Sequence, residues 1–199
     1  MKNIVKTVTH LFKTFGNWII DHLQGITYTL LILVVSGFYV YTLGYSTNWA
    51  TIVSETRASN FYFASQQANK LISQLGFIAV IVMLFVIFTQ THKRRTFYMS
   101  NIVLSIFSSI LLIVNAALTL YYNSVLGPMY RAITELEVPP HLYTIRRTSK
   151  SFFVFEFGNL YAVIMIIVAI WVLVFVGYKM KVQKDRKLQI AKAVESYER

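Results

Sequence analysis

Two patterns put polar chemistry inside apolar sequence. The first is a lone carboxylate, Glu156, in FFVFEFGNLYAV (Phe152 to Val163), which opens a long apolar run. An acid at membrane depth relays protons or balances a cation. At the edge of a span it opposes the positive end of the helix dipole, by ~0.3 to 1 kcal/mol. Counting about 20 residues back from Lys179 ends the hydrocarbon core near Asn159. Glu156 then sits about 4 to 5 Å further out. We read it as an interfacial acid, on a face shared with Asn159 and Val163.

The second pattern is uncharged. Asn101, Ser105, Ser108, Asn115 and Thr119 follow one another at spacings of four, three, seven and four, which makes one polar stripe along a helix, with Leu112 filling the gap. In hydrocarbon such groups hydrogen-bond across helices, each contributing about 0.6 to 2 kcal/mol. The stripe reads as a helix-packing seam or as the lining of a polar path. Gly158, Ala162 and Ala169 form a small-residue face, four and seven apart, that admits close helix approach. Gly25, Thr29 and Ser36, with Gly37 and Gly44 beside them, make the stretch around them a mate for the polar stripe.

Other chemistry is thin. Asp21-His22 has the form of an acid/base pair but reads as a polar helix flank. His10, His22, His92 and His141 are scattered, and there are no cysteines. Thiolate metal sites, disulfides and Cys nucleophiles are therefore excluded. No HExxH, GxxxxGK[ST] or GxSxG motif occurs, so zinc-protease, ATP-driven and α/β-hydrolase chemistry lack their residues. The expectation is a protein that is not an enzyme and holds no metal or cofactor.

The elements that position these residues follow from composition. Hydrophobic residues make up 56% of the 199, charged residues 14%, and the mean hydropathy is +0.54, far from a soluble domain. Apolar runs of about 20 residues, enough to cross a ~30 Å core, recur at about 26–45, 74–90, 99–122 and 153–178. Loops are expected between about 45 and 74, at THKRRTFY, and from Asn123 to about Ser151. Residues 1–24 carry apolar side chains at spacings of three and four with Lys2, Lys6 and Lys13 between them, the pattern of an amphipathic helix lying in the headgroup plane. Residues 179–199 continue the fourth span as a basic helical tail.

The fold class is thus an all-α integral membrane protein: an interfacial helix (1–24), a four-helix transmembrane domain (25–178) and a tail (179–199). Of the 19 Lys and Arg, thirteen fall on the side of the termini, among them Lys93, Arg94, Arg95, Lys179 and Lys181. The six on the other side include the cluster Arg146, Arg147 and Lys150, suited to phosphate headgroups or an acidic partner. The positive-inside rule then makes both termini cytoplasmic, in a bacterial plasma membrane or, alternatively, the mitochondrial inner membrane. The +11 charge serves topology and anionic lipid, and no nucleic-acid face is formed. The expected partners are the bilayer and other membrane subunits. The function expected is that of a non-catalytic subunit of a transport, secretion or energy-converting assembly. The alternative is a small self-associating channel or transporter with its path along the third span.

Overall fold

The structure is a computed structural model that describes residues 22–43, 59–90, 98–132 and 152–198. The interfacial-helix segment up to residue 21, Lys93, Arg94, Arg95, and the cluster Arg146, Arg147 and Lys150 lie outside the described residues. The described residues are almost entirely helical, with no strand. Four helices are long and apolar enough to cross a membrane: α1 (His22–Leu43), α2 (Ser59–Phe88), α3 (Met99–Ala132) and α4 (Phe153–Glu198).

Contacts at both ends set the topology. Asn101 of α3 meets Tyr28 of α1, Val86 of α2 and Lys179 of α4 at one end. At the other end Tyr41 of α1 reaches Val154 of α4, Asn123 of α3 reaches Asn159, and the Phe61 ring of α2 packs 5.4 Å from that of Tyr130 of α3. Each helix therefore runs antiparallel to the next, and α4 returns beside α1. The result is an up-down-up-down bundle.

Inside, α1 contributes Tyr28, Leu31, Val35 and Phe38, and α4 contributes Ala162, Met165, Ala169, Val172 and Phe175. Both sets recur at three and four, the period that keeps one stripe inward. The opposite faces carry Leu33, Val40, Phe77, Phe85, Ile167, Ile170 and Val174 exposed, an apolar exterior that lipid would cover. Of the most apolar stretch of each helix, 50% is buried in α3 and 33% in α2, so α3 is the most enclosed helix and α2 the most exposed.

Two helices outrun the spans expected from hydropathy. α2 begins at Ser59 rather than near Gln74, and α3 runs to Ala132 through Gly127 and Pro128, where a loop is expected. The reason is packing outside the apolar run. Phe61, Ser65, Ala68 and Ile72, spaced four, three and four, are all buried, while the polar residues between them keep hydropathy low. Phe61, Ala68, Leu126 and Phe155 form a second core, with Tyr130 and Phe152 against it. Pro128 lacks an N–H and so leaves the carbonyl four residues earlier without its helical donor, yet the helix persists around this core. At ~1.5 Å per residue, α2 and α3 measure about 45 and 51 Å, against the ~30 Å of a hydrocarbon core.

Candidate functional site

The polar stripe of α3 lies inside the bundle. Asn101, Ser105, Ser108, Ser109, Asn115, Thr119 and Asn123 are all buried. Three of these hydroxyls bond to their own helix: Ser105 Oγ donates to the Asn101 carbonyl at 2.7 Å, Ser109 Oγ to that of Ser105 at 3.0 Å, and Thr119 Oγ1 to that of Asn115 at 2.8 Å. They satisfy themselves locally and bridge to no neighbour. Bonding between helices is concentrated at the two ends of the stripe.

At one end Asn101 uses its whole amide. Its Nδ2 donates to the Val86 carbonyl at 2.7 Å and to Thr89 Oγ1 at 3.1 Å. Its Oδ1 accepts from the Tyr28 hydroxyl at 2.8 Å and from Lys179 Nζ at 2.7 Å. Two donors and two lone pairs are all that an amide offers. Lys179 Nζ also donates to the Tyr28 hydroxyl and stands 4.9 Å and 4.6 Å from the ring centroids of Tyr28 and Phe175. An ammonium within ~6 Å of an aromatic face is drawn to the ring quadrupole, more strongly where water is excluded. One cluster thus joins all four helices. Nearby, Trp171 Nε1 donates to Thr27 Oγ1 at 3.0 Å, tying α4 to α1 a second time.

Lys179 counts among the orientation-setting cations of the sequence, yet its side chain is 0% exposed. The signal for this lies in its register. Met165, Val172 and Lys179 are seven apart, so Lys179 ends the core stripe of α4, and Tyr28 opens that of α1. Lys181, two residues on, is exposed.

At the other end Asn123 Nδ2 donates to Asn159 Oδ1 at 2.9 Å and to the Phe155 carbonyl at 3.2 Å. The Tyr41 hydroxyl donates to the Val154 carbonyl at 3.2 Å, and that of Tyr161 to the Val34 carbonyl at 3.1 Å. The rings of Tyr41 and Tyr161 stack at 6.5 Å with an 11° interplanar angle, and Phe157 packs on both. Gly158 is what allows this: a Cβ there would overlap the Tyr41 hydroxyl and the Asn123 amide. Gly37 likewise faces the Tyr161 hydroxyl of α4, so its mate is α4 rather than the polar stripe of α3. Ala162 and Ala169 are fully buried on the inward face of α4.

Glu156 takes no hydrogen bond within this cluster. It is exposed in the first turn of α4, where its N–H donates to the Phe152 carbonyl at 3.1 Å. Asn159, on the same side of the helix, is the residue that meets α3. Glu156→Gln is expected to change bundle stability by no more than ~1 kcal/mol, the size of a helix-dipole term; a larger loss in a detergent melt would mean that the acid has a partner.

Between the two ends, two members of the stripe are unsatisfied. Neither Ser108 Oγ nor either amide atom of Asn115 has a hydrogen-bond partner. Burial of an unpaired amide or hydroxyl costs about 1 to 3 kcal/mol by protein mutational measures. Among the described residues no group of three or more His, Asp or Glu is placed to hold a metal ion.

The chain matches no family model, no curated protein and no solved structure.

Proposed function

We propose that this chain is a non-catalytic, multispanning subunit of a larger membrane assembly, in which a self-contained four-helix bundle holds a rigid arm. The observation that carries this reading is α4, which runs unbroken for 46 residues, from the apolar core to Glu198. Its last ~20 residues extend about 30 Å past Lys179. Helix nucleation is costly, and here the arm grows from a helix already locked by the Lys179 cluster. The arm presents Leu188, Ile190 and Val194, each about half exposed, amid Lys181, Lys184, Arg186, Lys187 and Lys192. Ile190 and Val194, four apart on one side of the helix, suit another subunit, and the basic residues nearest the bilayer suit anionic headgroups, at ~1 kcal/mol each.

The distribution of Lys and Arg supports cytoplasmic termini, and hence a cytoplasmic arm, in a bacterial plasma membrane. The reading is tested by native purification of the full chain and of a chain ending at Lys187. The truncated chain is expected to unfold within ~0.5 kcal/mol of the full one, as surface changes do, and to lose the different subunits that accompany the full chain. A symmetric assembly of this chain alone, unaffected by the truncation, would overturn it.

The alternative of a small channel or transporter draws on the unsatisfied middle of the α3 stripe. Solute flux through vesicles containing only this chain would favour it over the subunit reading.

A further inference from the structure

We propose that Asn115 is the centre of an internal hydration site, a place in the middle of the bundle that binds water. Asn115 is 0% exposed, and both its amide nitrogen and its amide oxygen lack partners. The other asparagines of α3 show what this interior supplies to an amide. Asn101 makes four bonds and Asn123 donates two. Asn115 has the same two donors and two lone pairs, and the protein meets none of them.

The chemistry of the amide selects its guest. An amide offers donors and acceptors together, and the fully buried Leu112 and Ala116 on adjoining turns penalise an ion of either sign. What remains is a neutral molecule that both donates and accepts. Its size follows from the register. The antiparallel pairing that sets Asn101 against Lys179 and Asn123 against Asn159 brings Asn115 level with the buried turns of α4 around Met165, between Ala162 and Ala169. Side chains from this level belong to one continuous core, so the guest proposed is no larger than a water molecule. Buried water commonly makes about three hydrogen bonds to groups of this kind. Ser108, two turns away at about 10.5 Å, is too distant for the same molecule to bridge.

The test is a water-to-side-chain cross-relaxation spectrum of the full chain, labelled with nitrogen-15 at asparagine, in deuterated detergent. The expected result is a direct water peak at the Asn115 NH2 group, none at Asn101, and a positive control at the exposed Asn159. Asn115→Leu assigns the Asn115 peak by deleting it. If that variant does not fold, Asn115→Ser keeps a polar group and serves the same purpose. Absence of the water peak at Asn115 would overturn the proposal. So would cross-peaks linking its NH2 group to a protein acceptor, to detergent or to a co-purified molecule instead of water.

Discussion

Asn101→Leu is expected to lower bundle stability by about 3 to 5 kcal/mol, since hydrogen bonds to charged groups and orphaned buried polar groups each contribute about 1 to 3 kcal/mol. Leucine keeps the branched shape of asparagine but is bulkier, so some overpacking adds to a loss that is chiefly polar. It comes from four groups at once: the Val86 carbonyl and Thr89 Oγ1 lose a donor, and the Tyr28 hydroxyl and Lys179 Nζ lose an acceptor. The ammonium dominates, because a buried charge that loses an acceptor costs more than a neutral group that does. Lys179→Met should be milder, about 1 to 2 kcal/mol, since an apolar side chain of similar length removes the charge together with its need for partners. The double variant should then fall short of the sum by about 1 to 3 kcal/mol, as contacting residues do. Reversible unfolding by a rising SDS fraction in mixed micelles measures all three. Strict additivity would mean that Asn101 and Lys179 do not act on each other.

At the opposite end, Gly158→Leu should be of similar severity, and Gly158→Ala should cost about 1 to 3 kcal/mol by overpacking. A Cβ at Gly158 meets the Tyr41 hydroxyl, its ring carbon and the Asn123 amide together. Relief requires moving the tyrosine and the asparagine, and with them the bonds to Val154, Phe155 and Asn159. Gly25 and Gly177 supply the control, for a Cβ at either meets nothing within 4 Å. Alanine at those positions should be neutral or stabilising by up to ~1 kcal/mol through helix propensity. If Gly158→Ala melted like Gly25→Ala, the Tyr41–Asn123 junction would not be the tight point of the bundle.

These two sites explain which features were legible before the fold was known. Hydropathy and the 30 Å scale of a bilayer identify four apolar helices, because each must satisfy its own backbone and bury or expose apolar area over a known length. The stripe of α3 is legible for a similar reason, as helical spacing alone puts Asn101, Ser105, Ser108, Asn115 and Thr119 on one face. Their inward direction in this bundle also follows from the cost of turning polar groups toward lipid. The extra turns of α2 and α3 are not legible by hydropathy. Buried Phe61 and Ala68 stand between glutamines and asparagines, and only the Tyr130 and Phe155 rings on other helices show what they bury against.

By itself, then, the sequence determined a four-helix, all-α chain suited to a membrane, with one polar face on the third helix. Those properties depend on local period and on transfer free energy, which residues a few positions apart already specify. The tertiary structure decided how that face is spent. It decided that Lys179 turns inward to Tyr28 and Asn101, across separations of 151 and 78 residues. It decided that Gly37 and Gly158 admit tyrosines from facing helices. It also decided that Asn101 and Asn123 are satisfied while Asn115, on the same stripe, meets no hydrogen-bond partner in the protein. The physical reason is that a hydrogen bond needs its partner within ~3 Å in a favourable direction, and helical spacing fixes only the face, never what stands opposite.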